Sequence, residues 1–300
     1  MSSDITVNDL TGRITKTEQI ANGQCGEVWK GTYTVGGREE FVAVKAMRST
    51  LFSDTVTAEK TIRRLSREMK VWSICVHPHL ALFIGICYET TQGYRVPCLI
   101  SPFYENGTIT QYLTHNPNTV RMDLFRQIFS ALAYLHGRAE AIVHGDLKPA
   151  NILIDDAGNA VLADFGHSRI LGISGFTTNT RTVAGTLRYM APELMVPEND
   201  EITPRPTIES DVWAAGMTGL EILSGEIPYV EFKKDSRLIT VIGNKLPNKA
   251  NYPLVPSGAW TAFVKCWERD PRERPSVQRL SDYFDKHYGP DSTRPTRTRG

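Results

Sequence analysis

The hydrophobic period of this chain changes near residue 105, and that change restricts the possible folds more than any other single feature. Before it, residues 14–47 read as strand, turn, strand, turn, strand, with β-rich pieces at 28–30 and 41–45 and a hairpin signal at Gly36-Gly37. Over residues 57–75 the period lengthens. Ile62, Leu65, Met69 and Trp72 recur at three- and four-residue steps, while Arg63, Arg64, Arg67 and Lys70 take the other faces, which predicts an amphipathic helix. Short apolar strands are expected at 81–88 and 96–100. Beyond residue 105, Leu124, Ile128, Leu132 and Leu135 make a helical stripe, and 210–223 and 260–267 read as further helices. Two short strands, 152–154 and 160–163, flank the turn Asp155-Asp156-Ala157-Gly158-Asn159. The expectation is an α+β protein: a small sheet-rich lobe with one main helix, then a larger helical lobe.

Composition narrows the function classes. The chain has 300 residues, 41 % of them hydrophobic and 22 % charged, which is enough apolar material for a full core. The net charge of +1 gives no field that would draw nucleic acid or an anionic membrane surface. Cys25, Cys75, Cys87, Cys98 and Cys266 are odd in number and scattered, with no Cys-x-x-Cys pair, which points to reduced thiols and a cytoplasmic location. Residues 1–20 are polar, unlike a secretory signal. Apolar runs such as 81–87 fall far below the roughly 18 to 20 residues of a membrane span. Residues 287–300, with Pro290, Arg294, Pro295, Arg297 and Arg299, read as a disordered basic tail.

Chemistry concentrates in two loops. In His144-Gly145-Asp146-Leu147-Lys148-Pro149-Ala150-Asn151, a carboxylate, a cation two residues on and an amide oxygen five residues on share one short stretch. Eighteen residues after Asp146 comes Asp164-Phe165-Gly166, a carboxylate at the end of the apolar Val161-Leu162-Ala163. Mg²⁺ favours one or two carboxylates plus phosphate oxygens over an all-protein cage, so Asp164 suits it. An isolated Asp-Phe-Gly means little; the two loops at this spacing are rarely coincidental.

With these motifs the chain, over residues 14–286, resembles the eukaryotic protein kinase domain family. The resemblance implies a bilobal kinase fold: an N-terminal extension over 1–13, an N-lobe over about 14–101, a hinge at 102–107 and a C-lobe at 108–286. It implies that Asp146 takes the proton of the acceptor hydroxyl, that Lys148 steadies the transferring phosphoryl group, and that Asn151 and Asp164 hold Mg²⁺. In Phe41-Val42-Ala43-Val44-Lys45 it makes Lys45 the phosphate-binding lysine, partnered by a helical glutamate. Glu68, nine residues before His77-Pro78, fits that role better than Glu59. ATP would also meet Ala21, Gly23, Gly26 and Val28 of the phosphate-covering loop, together with Ala43 and Leu153. Ser101 would be the gatekeeper, with the carbonyl of Pro102 and the N–H of Tyr104 facing adenine. Thr186, in Gly185-Thr186-Leu187-Arg188-Tyr189-Met190, would tie the substrate-docking loop to Asp146 and Lys148. Ala191-Pro192-Glu193 closes a 30-residue activation segment, and Arg274 would pair with Glu193.

Two positions depart from the family pattern. The phosphate-covering loop has Ala21 where its first glycine would be, which touches nucleotide affinity more than activity. Gly145 stands where most of the family has arginine. That leaves a phosphate on Thr177, Thr178, Thr180 or Thr182 without one usual partner. Gly145, Lys148 and the sequence around Trp72 and His77 resemble the tyrosine-kinase-like group and kinases of mushroom-forming fungi. Lys148 and Thr186 further imply serine or threonine as acceptor. The expected function is therefore transfer of the γ-phosphoryl group of Mg-ATP to protein Ser/Thr hydroxyls. A pseudokinase scaffold and a small-molecule phosphotransferase are the rival readings. A protein substrate and ATP are the partners expected; nucleic acid is not.

Overall fold

The computed structural model describes residues 7–22, 26–171, 186–195, 204–233, 238 and 241–290. The chain divides into two units, Met1–Glu105 and Asn106–Gly300.

Unit 1 is a five-stranded antiparallel sheet in the order β1-β2-β3-β5-β4, formed by β1 (Ile14–Asn22), β2 (Gly26–Val35), β3 (Arg38–Met47), β4 (Gly85–Thr91) and β5 (Tyr94–Pro102). The turn at Gly36-Gly37 joins Val35 to its partner Arg38. Side chains alternate across the pleat, so Val42, Val44 and Ala46 turn one way into a core with Leu10, Tyr33, Cys87, Cys98 and Ile100. Ala43 and Lys45 turn the other way. Helix α1 (Thr55–Ser73) starts where the Asp54 side chain accepts from the Thr57 N–H, two residues earlier than the periodicity suggests.

The strand expected at 81–88 begins only at Gly85. Upstream, the Ala81 carbonyl accepts from Trp72 Nε1 at 2.6 Å, and the Leu80 N–H closes a turn on the His77 carbonyl, so neither group serves a ladder. The outer edge of β4 is instead covered by residues 8–10. Ile86 donates to the Asn8 carbonyl and accepts from the Leu10 N–H, and Leu10 is fully buried. That pairing protects an otherwise open sheet edge.

Unit 2 is mostly helical: α2 (Ile109–His115), α3 (Arg121–His136), α4 (Ile208–Ser224), α5 (Ser257–Cys266) and α6 (Val277–Tyr288). Two small antiparallel pairs accompany them, β6 (Ile142–Val143) with β9 (Arg169–Ile170), and β7 (Ile152–Ile154) with β8 (Ala160–Leu162). Phe125, Phe129, Phe263 and Phe284 fill the centre, with edge-on contacts of 4.8 to 5.6 Å from Phe125 to the other three. Helix α4 is anchored by reciprocal capping of Thr207 and Ser210. Helices α2 and α6 are additions to the sequence reading. Because α6 runs to Tyr288, His287 and Tyr288 are helical and do not belong to a tail; residues 291–300 lie outside the described residues. Among the described residues no helix is long and apolar enough to cross a membrane.

Candidate active site

One face of the unit 1 sheet gathers five of the nucleotide candidates. Ala21 pairs with Val28, Val28 with Lys45, Lys45 with Leu99, and Ala43 with Ser101. Direct cross-strand partners share a face, so these side chains stand together, opposite the core. Lys45 Nζ donates to Glu68 Oε1 at 2.5 Å, with the carboxylate 2 % exposed. Glu59 pairs instead with Arg63 on the exposed surface of α1. Gly26 has a packing reason of its own: a Cβ there would stand 2.7 Å from the Ala46 carbonyl. The buried Ser101 hydroxyl donates to the Pro102 carbonyl at 3.3 Å. The Tyr104 hydroxyl accepts from the Leu82 N–H at 3.4 Å. Gly23 and Cys25 lie outside the described residues.

Unit 2 builds a second cluster around Asp146, which is buried. Lys148 Nζ donates to both its carboxylate oxygens, at 3.1 and 2.8 Å, and to Thr186 Oγ1 at 2.8 Å. The Thr186 hydroxyl donates to Asp146 Oδ1 at 3.4 Å, closing a triangle of acid, cation and hydroxyl. Asn151 Nδ2 donates to the Asp146 carbonyl at 2.7 Å and to Oδ2 at 3.0 Å, which leaves Asn151 Oδ1 as its acceptor atom. The loop itself is pinned from α4: the N–H groups of His144 and Gly145 donate to the two carboxylate oxygens of Asp211, at 2.7 and 2.8 Å, and His136 Nε2 stands 2.9 Å from the same carboxylate. Gly145 has φ +81°, and a Cβ on it would lie 2.7 Å from the His167 carbonyl. Here the missing arginine has a local correlate, since backbone and neighbour both favour glycine.

Asp164 sits at the end of β8 with φ 65° and ψ 81°, the left-handed region that a non-glycine residue adopts only under constraint. Its Oδ1 accepts from the Gly166 N–H at 3.1 Å. The neighbouring Ala163 N–H donates to the Asn151 carbonyl at 2.8 Å, so the loops carrying Asn151 and Asp164 are joined through their backbones. One carboxylate and one amide oxygen are hard donors and fit Mg²⁺ when phosphate oxygens complete its shell. Leu153, half-buried between the fully buried Ile152 and Ile154, projects to the opposite side of β7 and pairs with Val161.

The docking loop is held firmly. Arg188 donates to the carbonyls of Pro228, Tyr229 and Phe232 at 2.8 to 3.2 Å. The Tyr189 hydroxyl donates to Glu221 Oε2 at 2.5 Å, and burial pushes the Glu221 carboxyl above its ordinary value. Arg274 grips Glu193 with two bonds, at 2.6 and 2.9 Å, as expected. Gly185, Thr177, Thr178, Thr180 and Thr182 lie outside the described residues. The sequence reading overlooked His167, whose Nδ1 is 3.7 Å from Asp146 Oδ2. Its place directly after Asp164-Phe165-Gly166 was the available signal. His136 was overlooked too, because nothing local marks a helix-terminal histidine as the partner of a residue 75 positions away.

A buried carboxylate bound to a lysine, an adjoining pair of hard oxygen donors, and a strand lysine on a buried glutamate are the parts of a phosphotransferase. The protein kinase domain family matches residues 14–284, and this chain belongs to it. That family generally uses ATP and Mg²⁺ to phosphorylate proteins. Among curated relatives, the probable L-type lectin-domain containing receptor kinase V.3 of Arabidopsis thaliana is 34 % identical over 210 residues, covering 68 % of this chain and 29 % of the relative. The probable serine/threonine-protein kinase drkD of Dictyostelium discoideum is 31 % identical over 268 residues, 87 % of this chain and 19 % of the relative. The dual specificity mitogen-activated protein kinase kinase 7 of Rattus norvegicus is 30 % identical over 294 residues, 94 % and 64 %. The chain thus spans from about a fifth to just under two thirds of the length of these relatives.

Proposed function

We propose that this chain is a catalytically active protein serine/threonine kinase, acting in the cytoplasm in intracellular signalling. The observation that carries the reading is the triangle of Asp146, Lys148 and Thr186, with Asn151 bonded to the same carboxylate. Asp146 accepts the proton of the acceptor hydroxyl as that oxygen bonds to the γ-phosphorus and the bond to the ADP oxygen breaks. Lys148 offsets charge on the moving phosphoryl group, and Thr186 keeps base and lysine in one geometry. Asn151 Oδ1 and the Asp164 carboxylate would hold Mg²⁺, which when bound neutralises phosphate charge. Lys45, oriented by Glu68, would meet the non-transferring phosphates. Ala21, Gly23, Gly26, Val28, Ala43, Ser101, Pro102, Tyr104 and Leu153 complete the proposed ATP contacts.

Serine or threonine as acceptor is supported by Lys148 and Thr186. One relative is called a serine/threonine kinase and another a dual specificity kinase. Gly145, Lys148 and the residues around Trp72 and His77 support a place in the tyrosine-kinase-like group, near kinases of mushroom-forming fungi. The scattered free cysteines support the cytoplasmic location. The proposed kinase domain is 14–286, preceded by an extension over 1–13. A degenerate peptide library with Ser, Thr or Tyr as sole acceptor, supplied with Mg-ATP, tests the reading. Phosphate on Ser and Thr peptides is expected; phosphate chiefly on Tyr overturns the specificity, and ATP binding without transfer makes the chain a pseudokinase.

A further inference from the structure

We propose that Cys87 and Cys98 form an oxidisable pair that a hydroperoxide-class oxidant closes to a cross-strand disulfide and a dithiol reopens. The two stand directly opposite one another on β4 and β5. Ile86 spends its N–H and carbonyl on Asn8 and Leu10 at the outer edge. Backbone alternation therefore turns the N–H and carbonyl of Cys87 towards β5. In such a hydrogen-bonded pair the Cα atoms are about 5.5 Å apart, inside the range of about 4.4 to 6.8 Å that a disulfide spans. The Cβ atoms stand at the wide end of cross-strand spacing, about 5.5 Å, so closing the bond draws β4 and β5 together by about 1 Å. Both thiols are free, and both belong to the same apolar core cluster.

The pair is also chemically asymmetric. The neighbouring Cys87 and burial hold the Cys98 thiol above its ordinary value, and Cys87 is the more accessible of the two, 6 % against 1 % exposed, so Cys87 meets the oxidant first. Burial, Glu89 and Asp9 oppose the ionisation of Cys87; Lys16 favours it. The other described cysteines differ. The Cys75 thiol donates to the Val71 carbonyl at 3.1 Å, and burial pushes the Cys266 thiol up to about 12.

The steps balance. The Cys87 thiolate attacks one peroxide oxygen; an S–O bond forms, the O–O bond breaks, and the leaving oxygen departs as water with the thiol's proton. The Cys98 sulfur then displaces the hydroxyl of the sulfenic acid; an S–S bond forms, the S–O bond breaks, and a second water leaves. Two thiols lose two electrons and two protons, and the peroxide is reduced to water. With Cys87 6 % and Cys98 1 % exposed, a small oxidant is required. The new bond would lock β4 to β5 beside Leu99, the partner of Lys45.

The test treats the reduced full chain with hydrogen peroxide while circular dichroism confirms that it stays folded. Quenching by alkylation in denaturant and peptide mapping by mass spectrometry follow. A Cys87–Cys98 linked peptide, lighter by two hydrogens and cleaved by dithiothreitol, is expected. Oxidised glutathione at the same concentration should form little or none of it, because a bulky disulfide cannot reach the pair. In C98S, dimedone should trap a sulfenic acid on Cys87; in C87S it should trap none on Cys98. Recovery of both residues singly alkylated from the oxidised, folded wild type overturns the proposal, whatever the variants do. So does a linkage that appears only as the dichroism is lost.

Discussion

Lys45 on β3 and Glu68 on α1 are 23 residues apart in sequence and 2.5 Å apart in space, and the glutamate side chain is almost wholly buried while that of the lysine keeps 24 % of its surface. A buried carboxylate fixes the end of a flexible lysine at one point, which is the geometry a phosphate-binding cation needs. Removing one member of such a pair leaves the other poorly solvated.

Glu68→Gln should therefore raise the Kd for Mg-ATP and lower kcat/KM by about 10- to 100-fold, or about 1.4 to 2.7 kcal/mol. Glu59→Gln, on the exposed face of the same helix, should change neither. Nucleotide titration and steady-state kinetics on both variants check this; equal effects would disconnect the ion pair from nucleotide binding.

Asp146 and Asp164 should separate chemistry from binding. Asp146→Asn is expected to lose turnover by about 10²- to 10⁴-fold while its nucleotide affinity holds, because Asp146 is itself neither a proposed Mg²⁺ ligand nor a nucleotide contact and its amide can still bond Lys148, Thr186 or Asn151. Asp164→Asn should lose affinity as well, most visibly at limiting Mg²⁺. Isothermal titration at two Mg²⁺ concentrations distinguishes them, and unchanged affinity in Asp164→Asn at limiting Mg²⁺ would count against the metal assignment.

Thr186→Ala removes the hydroxyl shared by Lys148 and Asp146. The cost of about 1 kcal/mol for such a bond predicts a roughly fivefold fall in kcat. Thr186→Ser should restore most of the rate. Wild-type turnover in the alanine variant would remove Thr186 from the mechanism.

Gly145→Ala should lower the melting temperature, since it forces a left-handed residue and a Cβ against the His167 carbonyl, a strain of about 1 to 3 kcal/mol. Gly243→Ala meets open space and is the neutral control. Equal melting points for the two variants would show that the loop yields to a side chain.

Glu221 provides a pH test. Burial raises its folded-state pKa above 4.5, so the folded state binds its proton more tightly than the unfolded state does. Its contribution to stability is fully present below the ordinary value and is lost as pH rises through the folded pKa. Relative to Glu221→Gln, which can still accept from Tyr189, the wild type should thus lose stability as pH climbs from about 4.5. Urea unfolding of both proteins across that range measures the difference, and a difference independent of pH would refute the assignment.

Local patterns in the sequence carried the strands that hold Ala43 and Lys45, helix α1, and the loops around Asp146 and Asp164. Each is a short-range signal: a period of two or 3.6, or residue types whose spacing chemistry dictates. Glu68 was separable from Glu59 by its distance to His77-Pro78 and because Glu59 lies too near the helix start. The family likeness then supplied roles for these positions.

Tertiary structure decided what depends on groups distant in sequence. β4 starts at Gly85 because Trp72 claims the Ala81 carbonyl and residues 8–10 cover its edge, and neither event leaves a mark on residues 81–84. Asp211 holds the His144 and Gly145 amides across more than sixty positions, and His136 joins it from another helix. His167 comes within 3.7 Å of Asp146 through the turn of a loop. Periodicity reports which face of an element is buried, whereas the partner that buries it, and the atom its polar groups meet, are chosen only when the chain closes on itself.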